Sequence, residues 1–180
     1  TLSSSSAASD VYKRQEHGPI GGDEVNIIKL DDTSEDKNYG WPIASYGKGT
    51  QKNAGVISSG TKSYKSHDGY IKPIKYYNPS IGISEILKVP NKFFNNDNFD
   101  ENFFIATLGT KISEGDLSLH HLKIKNNNKV IFEDIIHLQE RIRDMVYSEK
   151  LNSLILFIES DRMYKGCLLY TSPSPRDGLL

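Results

Sequence analysis

The feature that most constrains the fold is a train of short apolar, β-branched runs with turn-forming clusters between them. The runs are Val25 to Leu30, Ile83 to Val89, Phe103 to Leu108, Leu117 to Ile124, Val130 to Leu138, Ile142 to Tyr147 and Leu154 to Ile158. Between them lie Asn95-Asn96-Asp97-Asn98, Ser113-Glu114-Gly115-Asp116 and Asn126-Asn127-Asn128, residues that favour turns. No stretch keeps a 3.6-residue apolar period for three turns, so helices are not expected. Ile131 to Leu138 reads as strand rather than helix because of its β-branched content. Alternation of Leu117, Leu119 and His121 with Ser118 and His120 predicts a half-buried strand. The unbroken apolar run Leu154 to Ile158 predicts a strand covered on both faces. Strands roughly 12 residues apart form antiparallel meanders, which a sandwich, a barrel or a propeller would all satisfy.

Charge and length exclude several classes. The net charge of -1 gives no electrostatic case for nucleic acid or an anionic membrane surface. No apolar run approaches the roughly 20 residues that span a bilayer. The two ends are read as foreign to the fold. Ser5 to Gln15, SSAASDVYKRQ, and Cys167 to Asp177, CLLYTSPSPRD, each resemble a translated sequencing adapter. The expected organisation is therefore 1–15 artefact, 16–165 domain and 166–180 artefact. The single cysteine, Cys167, falls in the last of these, which leaves the domain without disulfide or thiol chemistry. The region from Gly47 to Lys72, rich in Gly, Ser, Lys and Tyr, reads as a long surface loop.

Chemistry concentrates in EHGPIGGDEVNII, starting at Glu16, and in Asn38-Tyr39-Gly40-Trp41-Pro42. Gly18-Pro19 and Gly21-Gly22 impose an irregular backbone whose carbonyls are free to face a ligand, and Asp23 and Glu24 follow at once. Calcium accepts six to eight such oxygens, carbonyl and carboxylate together. The same residues also suit a plain Gly-Pro turn before a strand with a solvated acidic pair. Dinucleotide, P-loop, zinc and nucleophile-elbow motifs are missing from the sequence.

These segments resemble the signature of the glucose/sorbosone dehydrogenase family, whose soluble members use pyrroloquinoline quinone (PQQ). Three further stretches match in order: Tyr77-Asn78-Pro79-Ser80-Ile81, Glu101 to Leu108, and Arg141-Ile142-Arg143-Asp144. The resemblance implies an all-β, incomplete six-bladed β-propeller of about two to three blades. It implies PQQ and Ca2+ as cofactors, an aldose sugar as substrate and a separate electron acceptor. The anomeric hydroxyl would be oxidised to a lactone, in the periplasm or outside the cell. By the same resemblance the carbonyls of Gly18 and Pro19 hold the calcium that bridges to PQQ. The Glu24 carboxylate and the Tyr39 carbonyl hold a second, structural calcium. Arg141 and Arg143 bind PQQ carboxylates, Lys111 matches a cofactor-contacting lysine, and Tyr77 sits near the sugar. Arginine suits that role, since its planar, permanently charged fork grips a carboxylate with two hydrogen bonds. Two arginines two apart on a strand face the same side.

The chain departs from the family in three places. Asp31 to Asp36 is an acidic insertion that either displaces the second calcium or adds carboxylates to it. Asn78 stands where some members carry tryptophan. The family's catalytic histidine lies in an earlier blade that is not in the sequence, so His17, His67, His120, His121 and His137 are not expected to be the base. His120 and His121 are expected to be packing and surface residues. The chain itself is expected to be inactive. Two rivals share the propeller shape: a calcium-dependent lactonase or other hydrolase without quinone, and a non-catalytic binding module.

Overall fold

The computed structural model describes residues 11–18, 21–29, 38–41, 43–47, 67–94, 101–125, 128–159 and 165–171. These form ten strands in three antiparallel sheets. The first sheet holds β1 (Val11–Glu16), β2 (Asp23–Lys29) and β3 (Lys75–Tyr77) in that order. The second holds β4 (Ile83–Val89), β5 (Glu101–Thr107), β6 (Ser118–Ile124) and β7 (Val130–His137). In the third, β8 (Arg141–Ser148), β9 (Ser153–Glu159) and β10 (Lys165–Thr171) follow one another. Two single-turn 3-10 segments, Asn91–Phe94 and Ile112–Glu114, complete the elements, and no helix among the described residues could cross a membrane.

The seven runs named from sequence become β2 and β4 to β9. The additional strands are the short β3 and the two terminal ones. Both terminal strands include residues set aside as adapter-like: β1 pairs Val11 with Lys29 through Glu16 with Glu24, and β10 pairs Cys167 with Phe157. Neither strand interrupts the all-β reading.

The leading strand of each sheet is an edge strand, and these edges pack on one another, β1 on β4 and β4 on β8. Two hydrogen bonds link all three. Gln15 Nε2 donates to the Ser84 carbonyl at 3.0 Å, and Ser84 Oγ donates to the Ile142 carbonyl at 2.5 Å. Successive meander sheets joined along their leading edges are blades about a common axis, a partial β-propeller.

The inner strands β5 and β6 of the middle blade are buried on both faces, and β5 does this by strict alternation. Phe104 and Ala106 join Leu119, Ile142, Met145, Leu154 and Leu156 in a core toward the third sheet. Phe103 and Ile105 join Leu122, Ile124, Val25, Ile81 and Ile83 in a core toward the first. Each such side chain contributes roughly 1.5–3 kcal/mol of burial.

Three expectations need correction. β6 is not half-buried: Leu119, His120, His121 and Leu122 are all buried, because the strand is interior to a sheet with a neighbour on each face. His121 is therefore a packing residue rather than a surface one. β9 is covered on one face only, with Leu154 and Leu156 buried but Phe157 46% exposed, since no described sheet lies beyond it. In β8 the register shifts between Ile142 and Asp144. That bulge lets Ile142 and Met145, three apart, both point inward, so simple alternation does not set the facing of Arg143.

Candidate functional site

The glycine-rich turn before β2 is built around Asp23. This carboxylate is fully buried and is consumed by backbone donors: Oδ2 accepts N–H groups of Ile81 (3.1 Å), Gly82 (2.8 Å) and Ile83 (3.3 Å), and Oδ1 accepts Gly18 N–H (3.0 Å). It clamps the turn to the segment entering β4. The turn is tight enough to require glycine. A Cβ on Gly18 would lie 1.8 Å from the Gly21 carbonyl oxygen, and one on Gly22 (φ +76) would lie 2.3 Å from Gly47 N.

Alternation along β2 sends Glu24 and Asn26 to the face opposite Asp23. Glu24 is 4% exposed. Its neighbours are Asn26 Nδ2 at 3.4 Å and His67 Nε2 at 3.2 Å. Burial pushes its carboxyl up to about 7, against the downward pull of the Asn26 contact, with Glu16 adding a raising effect. His67 is fully buried, and burial lowers its pKa. Asn26 Oδ1 has no hydrogen-bond partner. The Tyr39 backbone is a hydrogen-bonding neighbour of the His67 ring, and the Tyr39 phenol donates to the Ile27 carbonyl at 2.8 Å. A small open cleft reaches this group past Glu16, His17, Gly18, Gly22 and Trp41.

The structure thus places Gly18 and Glu24 in one cleft, with the Tyr39 backbone reached through His67 behind it. Pro19 and the acidic insertion Asp31–Asp36 lie outside the described residues, as does most of the Gly47–Lys72 loop. Among the described residues no three His, Cys, Asp or Glu side chains gather as a metal cluster; the buried Glu24 carboxyl and the unpartnered Asn26 Oδ1, on one face of β2, are oxygen ligands of the kind calcium accepts together with backbone carbonyls.

Arg141 and Arg143 meet at one carboxylate. Arg143 Nε donates to Glu159 Oε2 at 2.5 Å, a second Arg143 nitrogen contacts the same oxygen, and Arg141 Nε lies 3.7 Å from it. Arg141 Nε is buried and has no hydrogen bond. The two arginine side chains are 37% and 52% exposed, so the pair is partly open to solvent and partly neutralised by Glu159. Its fit to PQQ rests on that geometry, since two guanidiniums already gather on a carboxyl group. Ile142, between them, is the residue whose carbonyl takes the Ser84 bond, and Gln15, the far end of that link, adjoins Glu16 at the cleft.

The other two candidates go elsewhere. Lys111 is exposed on the loop after β5, its Nζ 3.1 Å from Glu114. Tyr77 is buried between the first two blades and donates its hydroxyl to Glu133 Oε1 at 2.9 Å. There it joins His120, whose Nδ1 faces the same oxygen at 3.1 Å and whose Nε2 faces the Gly115 carbonyl at 2.9 Å. Lys75 pairs with Glu133 Oε2. Burial opposes ionisation of Glu133, but the bonds from His120, Lys75 and Tyr77 win and hold its carboxyl at about 2.

Sequence reasoning missed Asn26, His67, Glu133 and Glu159. Asn26 could have been found from its two-residue spacing to Glu24. His67 and Glu133 carry no local signal, because each meets its partners only through tertiary packing.

Comparison with known proteins agrees with this architecture. The family model described as Glucose / Sorbosone dehydrogenase matches residues 4–165. A Synechocystis sp. protein designated uncharacterized, slr1608, is 29% identical over 154 residues, 81% of this chain and 33% of that protein. The Escherichia coli aldose sugar dehydrogenase YliI is 33% identical over 104 residues, 53% of this chain and 23% of the relative. Among solved structures, a glucose dehydrogenase superposes with TM-score 0.64 at 28% identity, covering 89% of this chain and 40% of that one. The apo-form soluble aldose sugar dehydrogenase of Escherichia coli gives 0.62 at 28% identity, covering 90% and 41%. The chain therefore spans at most about two-fifths of each of these relatives.

Proposed function

The chain belongs to the glucose/sorbosone dehydrogenase family, and from that premise we propose that it forms part of a PQQ- and calcium-dependent dehydrogenase that oxidises the anomeric hydroxyl of an aldose to the lactone. The substrate, the separate electron acceptor and a periplasmic location come from the family. The chain alone is proposed to be inactive, with residues 16–165 as its propeller domain. When bound, PQQ would supply the two-electron acceptor and calcium would supply Lewis-acid assistance to it.

The roles of this chain's own residues are positional. The carbonyls of Gly18 and Pro19 are the proposed ligands of the bridging calcium. Glu24 and the Tyr39 carbonyl are the proposed ligands of the second. Arg141 and Arg143 are proposed to fix the cofactor's carboxylates, exchanging Glu159 for the cofactor. Lys111 and Tyr77 are assigned weaker parts, a cofactor contact and the flank of the sugar site. Asp23 acts through the turn it clamps, so it is a positioning residue.

The observation that carries the proposal is the convergence of Arg141 and Arg143 on one carboxylate beside the strand edges that lead to the Gly18–Glu24 cleft. A titration of the full chain with PQQ, read by quenching of its single tryptophan, Trp41, tests it. Saturable, calcium-dependent quenching is expected, weakened at least tenfold in Arg143→Ala. Quenching indifferent to both calcium and Arg143 would contradict it. A hydrolase would need calcium without binding the quinone, so the same titration separates that rival.

A further inference from the structure

His120 is 1% exposed, and both of its ring nitrogens face acceptors. Nδ1 lies 3.1 Å from Glu133 Oε1, and Nε2 lies 2.9 Å from the Gly115 carbonyl oxygen. A carbonyl can only accept. Glu133 accepts as well, because Tyr77 donates its hydroxyl to Oε1 at 2.9 Å and Lys75 pairs with Oε2, contacts that keep the carboxyl ionised. A neutral imidazole carries a single N–H and would set the lone pair of its other nitrogen against an oxygen. Only the imidazolium donates from both sides. The remaining groups around the ring supply no other proton. Tyr77 on β3 meets it edge-on at 5.3 Å with its own proton committed to Glu133, Lys75 stands on the far oxygen of Glu133, and Asp23 on β2 is near enough to act on Tyr77.

The Gly115 end of this contact fixes a loop. Gly115 sits at φ +88, a left-handed conformation that suits glycine, and a Cβ there would come 3.4 Å from His120 Cε1. Beside it, Asp116 Oδ2 accepts the N–H groups of Thr110 and Lys111, both at 2.8 Å, and the Asp116 N–H donates to the Lys111 carbonyl at 3.2 Å. Lys111 is therefore tied into the same turn that His120 holds. We infer that His120 is kept as an imidazolium and is a positioning residue, clamping the Lys111 loop to Glu133 at the junction of the first two blades. Its bearing on the cofactor rests on the reading of Lys111 as a cofactor contact. Removal of one proton leaves the other on Nδ1, where the ionised carboxylate is the stronger acceptor. Gly115 is then the contact released, and the loop is the part set free.

Ring-15N histidine labelling of the full chain, read by long-range 1H–15N NMR, tests the protonation. At pH 7 both nitrogens of His120 should read as N–H, and a lone-pair nitrogen on either side overturns the inference. Raising the pH tests the clamp in the unaltered chain. The backbone amide shifts of Thr110, Lys111, Gly115 and Asp116 should move in one step with the same midpoint as the His120 ring. Loop amides that ignore that step overturn the positioning role. PQQ quenching of Trp41 then tests the link to the cofactor. His120→Gln and Lys111→Ala should each weaken binding by roughly threefold or more, and the double variant should be no weaker than Lys111→Ala, because the losses of coupled residues do not add. Losses that add overturn the positioning of Lys111 by His120. A loop that follows the ring while Lys111→Ala binds PQQ as the parent does refutes the Lys111 reading and supports the clamp alone.

Discussion

Replacing Glu133 by glutamine should loosen the joint between the first two blades. Glu133 on β7 gathers Tyr77 and Lys75 from β3 and His120 from β6, so one carboxylate ties together strands of two sheets. Its carboxyl sits at about 2 in the folded chain against an ordinary 4.5. At roughly 1.4 kcal/mol per pH unit, that gap corresponds to about 3 kcal/mol favouring the folded, ionised form. Breaking a partly buried ion pair from one side gives a similar figure. Glutamine keeps the shape and one acceptor oxygen but presents no charge to Lys75, so a loss of about 2–3 kcal/mol at pH 7 is expected. The sign follows from the depressed carboxyl. The stabilisation is complete above pH 4.5 and disappears as the pH falls from 4.5 toward 2. Equilibrium urea unfolding followed by circular dichroism, at pH 7 and in steps down to pH 2.5, measures both parts. Glu133→Gln should be much weaker at pH 7 and should converge on the parent at the acid end. A variant within about 0.5 kcal/mol of the parent at pH 7, or a constant difference down to pH 2.5, would refute the reasoning.

Other outcomes follow from the same coordinates. Phe104→Ala should cost about 3–5 kcal/mol in urea unfolding, because the ring is 1% exposed in the core shared with the third sheet. Asp23→Ala should leave the N–H groups of Gly18, Ile81, Gly82 and Ile83 without their acceptor, lowering stability by at least about 2 kcal/mol in the same assay and weakening metal binding at the cleft. His121 should titrate near 4 by NMR rather than near 6.5, because burial first, and Lys123 second, oppose its charge. A base so depressed is neutral when folded, so it removes stability as the pH drops through 6.5 toward 4. Gly22→Ala should reduce the yield of folded chain in a solubility and circular dichroism assay, since its Cβ would meet Gly47 N at 2.3 Å.

The strands were legible because their signals are local. The run Ile83 to Val89 and the structure's β4 have the same ends, and β-branched content alone identified β7. Burial was less legible, since facing depends on which sheet lies behind a strand. β6 reads as alternating in sequence yet is buried throughout as the interior of the middle blade, and β9 reads as doubly covered yet presents Phe157 to solvent. The family motifs led to the glycine-rich turn before β2 and to the arginine strand β8. The bulge at Arg143, the Glu159 partner and the Glu133 hub are products of register and tertiary contact, which no spacing along the chain reveals. Tyr77 shows the same limit. Its place in a matched motif gives no sign that its hydroxyl is engaged by Glu133 inside the blade junction.

Crystals of the full chain grown with Ca2+ and PQQ would test the central proposal most directly through difference density at the leading strand edges. The account predicts quinone density with a carboxylate against Arg141 and Arg143, Glu159 displaced from them, and a cation between the cofactor and the Gly18 turn. Density for PQQ on another face, with Glu159 still held by both arginines and no cation near Gly18, would contradict it.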